Sequence, residues 1–338
     1  MRFERFDAAT DAERVRSCYE IVAAAQRLDD PGGAPVRSLT SFGNRWTSGF
    51  GGLARQSWLG IDDAGQPVGC YLLALPEQEN STMGWCTLSV APDRRRSGAG
   101  RALLEHCSGQ ARQAGRVRLA SEARDGSPGT AFAASMGAAA GIAEVIRRLE
   151  LDPGLPGRLA SIRATASRLA LGYSLVSWIG ASSADTLDDQ AALSAAMADA
   201  PRDEGVEPEA WDTARIRELE EICLGSGQQF YSVGARHDKT GRLVAITQIF
   251  TDPGTPDWAF QMITAVLPEH RGHRLGLLVK VEMLELLTAR EPVVRHVVTG
   301  NGDANHHMIA INEQLGFVAS SAYRNWELDL TARNNHAS

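Results

Sequence analysis

One stretch of this 338-residue sequence occurs twice, and the repetition constrains the fold more than any other feature. VAPDRRRSGAGRALL, from Val90 to Leu104, and VLPEHRGHRLGLLVK, from Val266 to Lys280, align without a gap. Val90, Pro92, Arg95 and Gly100 fall on Val266, Pro268, Arg271 and Gly276, each pair 176 residues apart, and Asp93 meets Glu269. Each copy follows runs of strand character joined by turn residues and precedes an amphipathic helix. Identities repeated in matched context are what an internal duplication leaves. The length also exceeds the roughly 100–200 residues of one domain, so two similar α/β domains are expected.

The flanking elements repeat as well. In the first half, MRFERF reads as a strand, and Val15, Cys18, Tyr19, Val22 and Ala25 recur on one helical face until Pro31 stops the helix. SWLGI, VGCYLLAL and MGWCTLSV read as a meander before the Arg-rich turn. After it come the helix GRALLEHCSGQARQAG, a strand VRLAS, a helix near GTAFAASMG and a strand AEVIRRLEL. DPGLPG has hinge composition, and RLASIRATASRLAL reads as a linking helix, giving domains at 1–153 and 172–338 with a linker over 154–171. The second half offers YSLVSWIG, helices across DDQAALSAAMADA and DTARIRELEEICL, strands QQFYSVGAR, RLVAITQIF and AFQMITAV, then the turn, a long helix and VRHVVTG.

Composition narrows the function. A net charge of −7 and a pI near 5.7 argue against a nucleic-acid binder, which needs clustered cations to neutralise phosphates, and favour a cationic small substrate weakly. The charged start, MRFERFDAATDAER, reads as neither a signal peptide nor a membrane span, so a cytoplasmic protein without membrane contact is expected, as monomer or homodimer. Five scattered cysteines without a C-x-x-C pair suggest reduced, packed thiols and no zinc site. His306 and His307 are adjacent on a helix, so their side chains diverge by roughly 100°, and no metal is expected. The ridge VEMLELL reads as core rather than as a partner face.

A turn that enters a helix exposes N–H groups without intrahelical partners at the positive end of the helix dipole, which suits a phosphate. Small residues let the anion approach, and Arg95 or Arg271 would add a charge-assisted contact. An isolated Arg-x-x-Gly-x-Gly is more often a solvated helix entry; its repetition in matched context favours the phosphate.

These residues resemble the GNAT superfamily of N-acetyltransferases, through Val90, Pro92, Arg95, Gly98 and Gly100 in the first half and Val266, Pro268, Arg271 and Gly276 in the second. TGNGDANHHMIAINEQLGF, from Thr299 to Phe317, resembles the family's later strand, loop and helix ending in Leu-Gly-Phe. The resemblance spans nearly the whole chain and is to tandem members of the mycothiol-synthase type. It implies two tandem GNAT-type domains, each a mixed, mainly antiparallel twisted sheet flanked by helices. It implies acetyl-CoA as cosubstrate, its diphosphate held at Arg271, Gly272, His273, Arg274, Leu275 and Gly276, and at Arg95, Gly98, Gly100 and Arg101. It further implies a carbonyl contact from the backbone of Ala265 or Val266, with Val90 the first-half counterpart. Arg274 stands where the motif has a glycine, so its side chain must point away from the anion.

Members of the family commonly protonate the departing thiolate with a tyrosine three residues before Leu-Gly-Phe. This chain has Asn312 there, and Ala133 in the first half. An amide donates a hydrogen bond without being a useful acid, which leaves water or Tyr323 for the proton. Asn305 and Asn312 are the catalytic candidates and Asn301 a coenzyme contact; Asn301 and Asn305 suit pantetheine amides and equally suit a turn. Glu204, Asp257 and His237 are base candidates that read more readily as surface residues. The reading expected from all this is transfer of an acetyl group to a small amine, with the second half catalytic. The missing tyrosines motivate the alternative, a non-catalytic acyl-CoA-binding sensor or scaffold.

Overall fold

A computed structural model describes residues 1–47, 53–199 and 202–331, and the chain divides into two compact units. The first takes residues 1–144, Asp203–Glu207 and the chain from Ser321; the second takes Val145–Arg202 and Pro208–Ser320. The division expected from the sequence places the last two first-unit segments in the second half. Strand pairing explains the difference for the C-terminal one, as described below.

The first unit runs β1 (Arg2–Phe6), α1 (Ala12–Asp29), α2 (Leu39–Thr47), β2 (Ala54–Ile61), β3 (Pro67–Leu75), β4 (Met83–Val90), α3 (Ala99–Gln113), β5 (Arg118–Arg124) and α4 (Pro128–Ser135). β6 (Ala139–Glu150) begins in it and continues into the second unit. Its strands lie in the order β1-β2-β3-β4-β5, antiparallel except for β4 with β5. Apolar side chains line both faces: Leu59, Ile61, Cys70 and Leu72 meet α1 and α2, while Trp58, Tyr71, Leu73 and Cys86 meet Leu103, Cys107 and Ala111 of α3. A strand buried on both faces is apolar throughout, which is why VGCYLLAL shows no alternation. All five cysteines are free and buried. The sequence reading missed α2, whose Phe42 and Trp46 stand one helical turn apart and are both buried.

The second unit runs through α5 (Leu155–Ala166), β7 (Tyr173–Ile179), α6 (Ala184–Ala195), α7 (Thr213–Gly225), β8 (Gln229–His237), β9 (Leu243–Thr251), β10 (Trp258–Val266), α8 (Leu275–Arg290), β11 (His296–Gly302) and α9 (His306–Leu315). The expected helix at DDQAALSAAMADA is α6 followed by a short 3-10 turn, and its final residue lies outside the described ones. Here the order is β6-β11-β10-β9-β8-β7, again antiparallel from β7 to β10 and parallel between β10 and β11. The linking helix α5 packs Leu155 and Leu159 into the same core as Leu277, Val281 and Leu284 of α8. Arg163 of α5 pairs with Glu282 and Glu285 of α8.

The last strand, β12 (Val318–Asp329), was not read from the sequence. From Tyr323 to Asp329 it pairs antiparallel with β5, and Leu330 joins the apolar cluster of α3. Its hydrogen-bonding partner thus lies some 200 residues upstream, which local periodicity does not reveal.

Candidate functional site

Both turns share one backbone. Positive φ occurs at Arg96 (62°) and Gly98 (88°) in the first unit, and at Gly272 (87°) and Arg274 (58°) in the second, positions again 176 residues apart. Each turn therefore has two left-handed residues, one glycine and one arginine, in exchanged order. Left-handed backbone strains a side chain but does not forbid it, so Arg274 preserves the turn that Gly98 makes. Gly98 and Arg274 occupy the N-cap positions of α3 and α8, and neither helix receives a side-chain cap. The first backward bonds are Ala102 N–H to Gly98 O (3.1 Å) and Leu278 N–H to Arg274 O (3.0 Å). The N–H groups of Ala99, Gly100 and Arg101, and of Leu275, Gly276 and Leu277, precede them at the positive helix end. A Cβ at Gly98 or Gly272 would meet nothing within 4 Å, so each turn leaves open space in front of its backbone. The residues fit a diphosphate.

The arginines behave differently from expectation. Both terminal guanidinium nitrogens of Arg95 donate to Asp29, at 2.8 Å each, so its fork ties the turn to the end of α1. Arg271 Nε donates to Val266 O at 3.4 Å. Arg94 pairs with Asp62 of the β2–β3 turn, whereas its counterpart His270 meets Tyr173 Oη at 2.9 Å through Nδ1, with His237 and His273 close by. Burial, then the neighbouring His237 ring, holds His270 below its ordinary pKa. His273 Nδ1 lies 3.2 Å from Leu169 O. None of these anchoring partners was foreseen from the sequence.

Beside each turn a parallel strand pair opens. β4 pairs with β5 only over Met83–Trp85, and β10 with β11 only over Trp258–Phe260, so the strands part before Val90 and Val266. Ala91 N–H bonds Val68 O and Leu267 N–H bonds Val244 O, both at 3.0 Å. Successive N–H groups of an antiparallel strand point to opposite edges, so those of Val90 and Val266 face the opening while that of Ala265 faces β9.

One difference separates the two openings. β3 and β4 stay in one register from Gly69–Val90 to Ala74–Trp85. In the second unit the register shifts by one between Gln261–Ile249 and Thr264–Thr247: a β-bulge sets Met262 and Ile263 where the first unit has Thr87 alone. Gln261 secures it, its Nε2 donating to Gln248 O (2.7 Å), Ile263 O (3.2 Å) and Thr247 Oγ1 (2.9 Å). Thr247 Oγ1 also meets Thr264 Oγ1 at 2.8 Å, and behind Gln248 stand Gln190 and Ser232.

Asn312 is fully buried on α9. Its Oδ1 accepts from Lys280 Nζ at 2.7 Å, and its Nδ2 donates to Asn301 Oδ1 at 2.6 Å. Lys280 is 1% exposed, stands 5.0 Å from the Phe317 ring centre, and has its pKa lowered to about 7 by burial. The structure thus brings Asn301 and Asn312 together with a lysine that the helical pattern concealed. Asn305 caps α9, its Oδ1 accepting from Met308 N–H at 3.3 Å. Tyr323 lies in the first unit and donates to Asp30, which also binds Arg124; burial and that carboxylate raise its pKa, making it a poor acid. Glu204 belongs to the first unit, and His237 to the Tyr173 cluster. Asp257 accepts through its carbonyl from Arg295 and His296 N–H. Among the described residues no group of His, Cys, Asp and Glu is arranged to hold a metal ion, and no helix is long and apolar enough to cross a membrane.

Residues 23–137 match the profile of the family described as "Acetyltransferase (GNAT) family". Among solved structures, a tandem GNAT protein from the clavulanic acid biosynthesis pathway is 29% identical over 98% of this chain and 99% of its own, with a TM-score of 0.81. A GCN5-related N-acetyltransferase from Sphaerobacter thermophilus shares the fold at 16% identity, covering 97% of this chain and 95% of its own with a TM-score of 0.70. No curated protein matches the chain.

Proposed function

We propose that this chain, which resembles tandem GNAT proteins along nearly its whole length, transfers an acetyl group from acetyl-CoA to the amine of a small molecule, with the reaction housed in the second unit. The β10 bulge carries the choice of unit. One inserted residue re-aims the backbone beside the opening, and bulges concentrate next to active sites for that reason. The polar replacements at Asn301 and Asn312 support the same unit, since the first has Ala123 and Ala133 in those places.

Acetyl-CoA supplies an acyl group activated as a thioester. The N–H groups from Arg271 to Gly276 would hold its diphosphate, with the α8 dipole adding to the attraction. The Val266 N–H, facing the opening, is placed to donate to an acyl oxygen, where a fixed donor stabilises developing negative charge. The excess of acidic over basic side chains draws a cationic amine weakly from solution.

Mixing the protein with acetyl-CoA and a panel of small amines, and following the release of free thiol, tests the proposal. Release that depends on one amine class supports it; coenzyme binding with no release from any amine would favour an acyl-CoA sensor. Deleting Met262, which restores the β4 register, should abolish release while leaving coenzyme binding in place.

A further inference from the structure

Lys280, Asn312 and Asn301 form a chain of three polar groups, and the first unit is apolar at all three counterparts. Leu104 matches Lys280 along the duplicated turn and helix. Ala133 precedes Met136-Gly137 as Asn312 precedes Leu315-Gly316. Ala123 follows Leu119 as Asn301 follows Val297, and those two residues hold the same place in their parallel pairs. The duplicated fold therefore packs without an ammonium or amides at these positions. Of the 34 basic residues, only Lys239 and Lys280 are lysines, so a chain that otherwise uses arginine has placed a lysine where the surroundings exclude water.

The chemistry of the three groups fixes their directions. Lys280 Nζ donates to Asn312 Oδ1, the only direction open to it when protonated, so Asn312 turns Oδ1 to Lys280 and Nδ2 to Asn301. Asn301 must then present Oδ1 to Asn312, which leaves its Nδ2 on the opposite corner of the amide. Asn301 stands near the end of β11, three residues past Val298, the last residue paired with β10. Amides aligned behind a buried cation polarise one another toward the far donor.

We propose that Lys280 is a positioning residue that orients Asn312 and Asn301, so that the Asn301 amide donates at the opening between β10 and β11, to the acyl oxygen or departing sulfur of the bound thioester. This rests on the second unit being the site of transfer. Lys280 touches no substrate; it acts through the two amides.

The experiment compares wild type with Lys280→Met, Asn301→Ala and the double variant, using the amine that gives thiol release. Lys280→Leu, which copies Leu104, serves as a second replacement should Met fail to fold. The expected result is a fall in kcat of about tenfold or more for either single change. KM for acetyl-CoA should stay within about twofold, and the double variant should be no slower than the worse single one. An unchanged kcat in both lysine variants, or losses that multiply in the double variant, would overturn the proposal. A wild type that turns over no amine would instead strike at the functional reading. An independent readout needs no turnover: in a Lys239→Arg background only Lys280 carries a lysine side-chain NMR signal. That signal should shift when acetyl-CoA binds and should lose the shift in Asn301→Ala; a signal unmoved at saturating coenzyme counts against the relay.

Discussion

Lys280 makes a prediction about stability whose sign and size follow from its burial. Moving a lysine pKa from an ordinary 10.5 to about 7 means that the folded state disfavours the cation by about 5 kcal/mol, at 1.36 kcal/mol per pH unit. Below pH 7 both folded and unfolded chains carry the proton, and the whole penalty is present. Between pH 7 and 10.5 the unfolded chain binds the proton and the folded one has released it, so stability rises with pH. From pH 7 to 9 the gain is about 2 kcal/mol, or about 1 M in a urea midpoint for an m-value of about 2 kcal/mol/M. Replacing Lys280 by Met removes the penalty but strands Asn312 Oδ1, at a cost of about 1–3 kcal/mol. The double change Lys280→Leu with Asn312→Ala, which installs the first unit's pair, avoids that loss. Urea unfolding at pH 7, 8 and 9, followed by circular dichroism, reads the difference between wild type and the double variant, in which titrations common to both cancel. The double variant should be the more stable protein at pH 7, and its advantage should shrink by about 2 kcal/mol at pH 9. A difference that stays constant with pH would refute the account of Lys280 as a buried, titrating base.

Two further outcomes separate anchoring from chemistry. Asn305→Ala removes the α9 cap and should cost about 1 kcal/mol in urea unfolding, with turnover changed less than threefold. A large loss of kcat would instead place Asn305 among the reacting groups. Arg95→Ala breaks the paired bonds to Asp29 and should lower stability by about 1–2 kcal/mol while leaving the KM for acetyl-CoA unchanged, since its guanidinium is engaged by Asp29 and lies outside the unit proposed for transfer.

Much of the fold was legible because the duplicated turn needs particular residues. Proline, small residues and a helix start at fixed spacing announce a turn whose backbone suits an anion, and the meanders on either side carry plain strand patterns. Other features escaped for physical reasons. Arg274 looked like a defect in the motif, because exchanging glycine and arginine between two left-handed positions is visible only as dihedral angles. The bulge at Met262 and Ile263 is a one-residue offset that strand register reveals and composition does not. β12 pairs with β5 across most of the chain, beyond the reach of local periodicity. Lys280 was hidden because a lysine in an apolar helix suggests a solvated edge, and only packing shows that α8 is buried nearly all round. Asn312 stands out in the sequence only through the family resemblance, which implies a tyrosine at that position.

The proposed location of transfer is tested most directly by filling one small position in each unit. A Cβ at Gly276 would sit 3.6 Å from Ile311 and Val266, and one at Gly100 would sit 3.4 Å from Phe132 and 3.6 Å from Val90, so each site has room for a methyl group and little more. Gly276→Val and Gly100→Val, each checked for native circular dichroism, are compared with wild type for thiol release from acetyl-CoA with the accepted amine. Loss of release in Gly276→Val with retention in Gly100→Val is the predicted result. Retention in Gly276→Val with loss in Gly100→Val would contradict it.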